Sequence, residues 1–266
     1  MSIFAKDALK GRHVLITGAT GGIGMETAEI VACMGAKVTI TGRNTEKLAE
    51  LRQKLETIMD ASDIFVQRAD ITNKSDREQL IRDAQAALGF ISDLVNAAGV
   101  AGNKTVDQLE EEDIKAMLDI NYLSAFSLTK EIYKEMQEKK QGNIVNIASL
   151  SGLRGTFGNT AYASSKFAMI GWTQSMALEA IAFNIRVNAV CPGFVDTEMV
   201  EGLFENKAKN TNQSYVQVRK SAEESLPSKR ITTADEVGST IAFLLTDAAQ
   251  NIVGESVKIS GGAVMR

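Results

Sequence analysis

Short runs of β-branched and apolar residues alternate along this chain with longer stretches that carry an apolar residue every third or fourth position. The first kind of pattern fits buried strands and the second amphipathic helices. Strands are predicted at 13–17, 37–41, 64–68, 93–96, 143–149, 185–191 and 256–260. Helices are predicted at 25–34, 45–58, 75–88, 110–136, 161–182 and 234–245. Strand and helix alternate throughout, with the spacing of βαβ units. The pattern therefore predicts an α/β fold, a doubly wound parallel sheet of seven strands with helices on both faces and right-handed crossovers. No linker, repeat or low-complexity stretch divides the chain, and it has only two prolines, so one domain spanning 1–266 is expected. Residues 198–230 are polar, mostly helical and longer than a plain connection needs. They follow the sixth strand directly, which predicts a lid at about 197–226.

Composition narrows the classes without choosing among enzymes. With 44% hydrophobic and 23% charged residues the chain is ordinary for a soluble globular protein. A net charge of −4 without a basic cluster argues against nucleic acid as a partner. No basic segment followed by an apolar one opens the chain. The longest apolar stretch, 167–183, is interrupted by Gln174, Ser175 and Glu179, so no membrane span is expected. Cys33 and Cys191 match no metal or redox spacing, which suits a reduced, cytoplasmic protein. His13 is the single histidine, so neither a histidine triad nor a multi-histidine metal site is expected, and no metal. It reads most simply as a strand-edge residue.

Two constellations carry chemistry. The first strand runs into Gly18-Ala-Thr-Gly-Gly22-Ile-Gly24 and then a helix. Such a turn lets backbone N–H groups approach a pyrophosphate, and the helix start adds partial positive charge. An acidic residue would be expected about 20 residues further on to bind the adenosine ribose of NAD. This chain has Gly42 there, followed by Arg43, which leaves room for a 2′-phosphate and supplies a guanidinium to meet it. NADP(H) is favoured on that ground. The glycine turn itself carries no Lys or Arg, which keeps NAD possible, and Arg43 could also be a solvated residue at the next helix start. The second constellation is Tyr162 and Lys166, four apart and so on one helical face. A neighbouring ammonium is expected to lower the phenol's pKa from its usual value of about 10. Ser149 ends the preceding strand, where such sheets place ligands, and its hydroxyl could hold a substrate oxygen beside Tyr162.

Together these motifs, in this order and over nearly the whole length, resemble the single-domain short-chain dehydrogenase/reductase family, whose fold is Rossmann-type. The resemblance implies hydride transfer between a nicotinamide dinucleotide and a carbonyl or alcohol. It assigns Ser149, Tyr162 and Lys166 to catalysis, with Asn121, in Asp-Ile-Asn-Tyr-Leu-Ser-Ala, holding a water that relays protons from Lys166 to solvent. Around the dinucleotide it places Thr17, Gly18, Thr20, Gly22, Ile23 and Gly24 at the turn. Arg43 and Asn44 follow the second strand, Asp70 and Ile71 the third. Asp70 would contact the adenine amine, although it could equally cap the helix starting at Ser75. Asn96, Ala97 and Gly99 resemble the motif after the fourth strand that stabilises the central sheet and lines the groove. Tyr162 and Lys166 also face the cofactor, and Pro192, Gly193, Val195 and Thr197 resemble the turn that holds the nicotinamide amide. Thr197 could cap the next helix as well.

Substrate-side candidates are Ser149, Ser151, Asn159, Tyr162 and Phe194, with specificity in 150–159 and 194–226. The Ser149–Arg154 and Cys191–Met199 stretches look most like 3-oxoacyl-thioester reductases, including polyketide ketoreductases. A lid of this length also resembles NAD-dependent 3-hydroxybutyrate dehydrogenases, and sugar, polyol and steroid dehydrogenases share the frame. Outside these lie a non-catalytic NADP-binding regulator, disfavoured by the complete set Asn121, Ser149, Tyr162 and Lys166, and a longer sugar-nucleotide epimerase, disfavoured by the glycine spacing and the short tail. Finally, 167–182 is apolar around most of its circumference. It needs a second burying surface, so a dimer or the homotetramer usual in the family is expected, with the C-terminal tail near a neighbour.

Overall fold

A computed structural model describes residues 4–265. Seven parallel strands form one sheet: β1 (His13–Thr17), β2 (Lys37–Gly42), β3 (Ile64–Arg68), β4 (Asp93–Asn96), β5 (Gly142–Ile147), β6 (Ile185–Pro192) and β7 (Ser256–Ile259). Their spatial order is β3-β2-β1-β4-β5-β6-β7. The order reverses between β1 and β4, so a crevice opens there at the carboxyl ends of the strands. Helices α1 (Gly22–Cys33), α2 (Thr45–Glu56) and α9 (Ala234–Leu245) cover one face. On the other lie α3 (Lys74–Leu88), α5 (Ser124–Lys139) and α6 (Thr160–Ala180). Strand β1 shows how one run serves both. Val14 and Ile16 pack with Val31, Leu51 and Ile241, whereas Leu15 between them packs with Leu80 and Leu128. Truncating any of these buried leucines or isoleucines to Ala would cost about 2–5 kcal/mol.

Four sequence expectations change. First, α1 begins at Gly22, inside the glycine turn, so the turn's last residues are already helical. Second, the expected single helix over 110–136 is broken. It consists of α4 (Glu111–Leu118), a π turn at Asp119–Leu123, and α5. At the wide turn Ser124 N–H reaches back to the Asp119 carbonyl, and the Ile120 carbonyl accepts from the Ser124 hydroxyl at 2.7 Å instead. Third, the 198–230 segment is two helices, α7 (Glu198–Thr211) and α8 (Tyr215–Ser225), divided at Asn212 in a left-handed conformation (φ 52°). They share a small core of Phe204, Ala208, Val218 and Ile231, separate from the sheet's. Fourth, His13 does stand at the edge of its strand, as the first residue of β1, but it is a core residue. It is buried on a central strand, with Nδ1 at 2.9 Å from the Gly89 carbonyl and Nε2 at 2.7 Å from Thr39 Oγ1. Desolvation lowers its pKa, so it sits there as a neutral ring.

No helix among the described residues is long and apolar enough to cross a membrane. Among the same residues no cluster of His, Cys, Asp and Glu is placed to hold a metal ion.

Candidate active site

The glycine turn lies at the carboxyl end of β1. Gly18 has φ +62°, and a Cβ on it would sit 2.6 Å from the Ala98 backbone. A Cβ on Gly22 would meet Thr197 Cγ2 at 2.6 Å. The chain thus approaches itself closely on both sides of the turn, and any side chain would fill the cradle. Helix α1 has no side-chain cap and no acidic residue in its first turn, whereas α2 and α3 have both. Its first N–H groups are left for an anion. These features fit the pyrophosphate of a dinucleotide.

At the end of β2, a Cβ on Gly42 would lie 3.0 Å from Thr20 Oγ1. An acidic side chain there would crowd Thr20. Arg43 is exposed, and Arg68, which the sequence reading missed, is in register with Gly42 on the neighbouring strand. Asn44 caps α2, accepting from Lys47 N–H at 3.0 Å. The α3 cap is Asn73, not Asp70. Asp70 Oδ1 accepts instead from Thr72 N–H and Oγ1 at 3.0 and 2.7 Å. Those bonds, then Arg43 and Arg68, hold its carboxyl below the usual range. Ile71 is buried beside it.

Two expected groove residues act from behind it. Thr17 is fully buried, and its Oγ1 accepts from Ala97 and Ala98 N–H at 3.2 and 3.3 Å, so it shapes the loop after β4. Asn96 is also buried, donating to Thr129 Oγ1 at 3.0 Å and to Asn146 Oδ1 at 2.8 Å. Asn146 in turn donates to Thr173 at 2.8 Å, which ties β4 and β5 to α5 and α6 beneath the site.

A cavity of about 590 Å³ opens over the switch point. Ile23, Ala97, Gly99, Ser149, Ser151 and Asn159 line it, as do Tyr162, Lys166, Pro192, Gly193, Phe194, Val195 and Thr197. Thr197 starts α7 without a side-chain cap; its hydroxyl donates to the Val195 carbonyl at 3.2 Å. Sequence reading did not single out the apolar residues Leu150, Met199, Val200 and Leu203, the rim residue Arg154, or the C-terminal Gly262 and Ala263. The tail expected near a neighbouring subunit returns to the cavity at those last two residues; Arg266 lies outside the described residues.

Helix α6 presents Tyr162 and Lys166 on one face, as its period requires. The Lys166 ammonium donates to the Ile147 carbonyl at 2.7 Å and lies 5.8 Å from the centre of the Tyr162 ring. Burial lowers its pKa to about 8. The expected lowering of the Tyr162 pKa is not found. Burial raises it, and the hydrogen bond with Ser149 only partly offsets this. Ser149 Oγ also accepts from Ser151 N–H at 3.1 Å. Asn121, fully buried in the π turn, uses its side chain as a staple: Oδ1 accepts from Val100 N–H at 2.8 Å, and Nδ2 donates to Val100 O and Ser165 Oγ, both at 3.0 Å. A neutral phenol, a hydroxyl and a buried ammonium thus meet at one end of a groove that fits a dinucleotide. This set can hold a carbonyl oxygen and give it a proton.

Comparison with known proteins agrees. Residues 12–208 match the family described as short chain dehydrogenase. The 3-oxoacyl-(acyl-carrier-protein) reductase of Thermotoga maritima is 34% identical over 97% of this chain and 99% of its own length. The acetoacetyl-CoA reductase of Allochromatium vinosum is 31% identical over 96% of this chain and 99% of its own. The crystal structure of a tryptophan variant of actinorhodin polyketide ketoreductase with NADPH superposes with a TM-score of 0.91 at 28% identity, covering 98% of this chain and 99% of that one. The chain belongs to the short-chain dehydrogenase family and is an oxidoreductase that works on CH–OH and keto groups with NAD(P).

Proposed function

We propose that this protein is an NADP(H)-dependent reductase of 3-oxoacyl thioesters or closely related ketones. The observation that carries the reading is the meeting of Ser149, Tyr162 and Lys166 at a deep, largely apolar cavity that adjoins the glycine turn. The dinucleotide would lie along the turn, with the 2′-phosphate toward Arg43 and Arg68, adenine beside Asp70 and Ile71, and nicotinamide against Pro192–Thr197. When bound it supplies the hydride. Ser149 and Tyr162 hydrogen-bond the carbonyl oxygen and orient the carbon toward the hydride. Tyr162, held protonated by burial, donates the phenolic proton to that oxygen. Lys166 remains an ammonium below about 8; it holds the nicotinamide ribose and returns a proton to Tyr162. Asn121 keeps the Val100 loop and α6 together, beside the water that would carry this proton to solvent. Asn159, Ser151 and Phe194 shape the substrate side.

NADP(H) is favoured because Gly42 lacks the carboxylate that NAD recognition uses, a side chain there would crowd Thr20, and two cations flank the same spot. The thioester reading draws on the reductases of Thermotoga and Allochromatium named above and on the polyketide ketoreductase. The protein acts as one domain, with α7 and α8 as the lid, as a homotetramer in the cytoplasm. The deciding experiment follows loss of reduced-nicotinamide absorbance with an acetoacetyl thioester, NADPH and NADH in parallel. Fast turnover with NADPH is expected, and Arg43→Asp should weaken NADPH far more than NADH. Turnover with NADH alone would replace this reading with a 3-hydroxybutyrate-type dehydrogenase.

A further inference from the structure

One charged group at the cavity is needed neither by the fold nor by proton transfer. Among the described residues, Arg154 is apart from Lys166 the only charged side chain on the lining, and no carboxylate lines it. Its guanidinium has no hydrogen-bond or ion-pair partner among the described residues. Some solvent-facing arginines are paired, Arg52 with Glu56, Arg219 with Asp196 and Arg230 with Glu236, whereas Arg43, Arg68 and Arg82 are not; of the exposed arginines among the described residues, Arg154 is the one that lines this cavity. A planar guanidinium left unpaired beside an apolar cavity is preorganised for a carboxylate or phosphate.

Its placement is firm. Arg154 follows the helical turn Leu150–Gly152, which starts at Ser149. Gly152 N–H donates to Ser149 O at 2.9 Å, and Arg154 N–H to Leu150 O at 3.2 Å. A Cβ on Gly152 would sit 2.6 Å from the Lys166 carbonyl, so the turn is pressed against α6. The backbone of Arg154 is therefore set relative to the Ser149–Tyr162 pair by ordered structure. On the same loop Phe157 is 94% exposed, an apolar surface for an arm entering from solvent.

We propose that Arg154 binds an anionic group on the substrate, so that the enzyme selects a carbonyl compound carrying a phosphate or carboxylate over a neutral ketone. The inference rests on the proposed position of the carbonyl between Ser149 and Tyr162. Two sources supply the same chemistry: the phosphates of a pantetheine-type carrier and the carboxylate of a free oxo acid.

Kinetics of wild type, Arg154→Gln and Arg154→Lys would be measured on two matched pairs. One pair is acetoacetyl-CoA and its phosphate-free counterpart acetoacetyl-N-acetylcysteamine; the other is acetoacetate and methyl acetoacetate. Arg154→Gln should lower kcat/KM for one anionic member by roughly 10- to 100-fold, as expected for one lost charge-assisted hydrogen bond. Its neutral partner should be unaffected, and Arg154→Lys should recover part of the loss. A loss confined to the CoA pair identifies phosphate, and one confined to the acid pair identifies carboxylate. Equal losses on charged and neutral members, or none on any, would overturn the proposal while leaving the reductase reading intact. If none of the four is reduced, the thioester reading fails and Arg154 is judged by calorimetry alone. Titrating CoA and 3-hydroxybutyrate into the protein saturated with NADP+ should then show binding that Arg154→Gln weakens; absent or unchanged binding overturns it.

Discussion

Tyr162 and Lys166 sit in surroundings that push both toward their neutral forms. The phenol is buried and stays protonated well above neutrality, which suits a proton donor in reduction. The ammonium is buried as well and titrates near 8. Replacing Tyr162 with Phe should lower kcat by roughly 100- to 10,000-fold, while calorimetry still finds NADPH binding close to wild type; near-normal turnover would remove Tyr162 as donor. For reduction, kcat/KM should fall as pH rises through about 8, because Lys166 loses its proton there while Tyr162 keeps its own. A pH profile without that break, or one retained in Lys166→Arg, would remove Lys166 as its source. The same shift bears on stability. The unfolded lysine holds its proton up to about 10.5 and the folded one only to about 8, so the unfolded state binds more protons between these values. The cost of burying the ammonium is therefore complete below about 8 and fades as pH rises toward 10.5.

Helices α7 and α8 illustrate how an element can be ordered and still separable. Their small core of Phe204, Ala208, Val218 and Ile231 belongs to them and to the strand of chain just after them. One tie to the loop after β6 is Arg219, whose two terminal nitrogens both donate to Asp196, each at 2.8 Å; Phe204 also packs against Phe194 there, ring centres 5.3 Å apart. A bidentate pair of this kind holds geometry as well as charge. Arg219→Ala should therefore loosen the pair of helices without unfolding the protein. Proteolysis should cut within 198–225 several times faster, and KM should rise about tenfold, the effect of losing some 1.4 kcal/mol of positioning, with the thermal midpoint little changed. A large drop in that midpoint instead would mean that the segment is part of the main folding unit.

At the scale of the molecule, helix α6 has more apolar surface than one sheet can cover. Ala163, Met169, Thr173 and Met176 face inward and are buried, yet Phe167 is 48% and Leu178 79% exposed on the same helix. Leu123 and Phe126 are exposed nearby, and Phe126 and Tyr122 pack edge-on against Trp172 of α6 at 5.8 and 5.9 Å. An apolar face of this kind is typical of a subunit interface. Sedimentation at micromolar concentration should find an oligomer, and Leu178→Glu should shift it toward monomer by weakening association at least about tenfold, roughly 1.4 kcal/mol. A monomeric wild type would leave this face unexplained.

Much of this protein was legible before folding, because much of it is local. The order of strands and helices follows from periods of two and 3.6 residues. The cradle at Gly18–Gly24 follows from glycines between a strand and a helix. The shared face of Tyr162 and Lys166 follows from their spacing alone. Tertiary structure decided whatever depends on partners far along the chain. His13 is buried because Gly89 and Thr39 close around it. Thr17 and Asn96 are withdrawn from the groove because loops and helices more than thirty residues away take their hydrogen bonds. The break in the long helix at Asn121 goes with bonds to Val100 and Ser165 that no local periodicity encodes. The direction of the Tyr162 shift was misjudged for the same reason. Sequence spacing brings a cation near the phenol, but only packing determines how much water the phenol loses, and here desolvation outweighs the lowering by the Ser149 hydrogen bond.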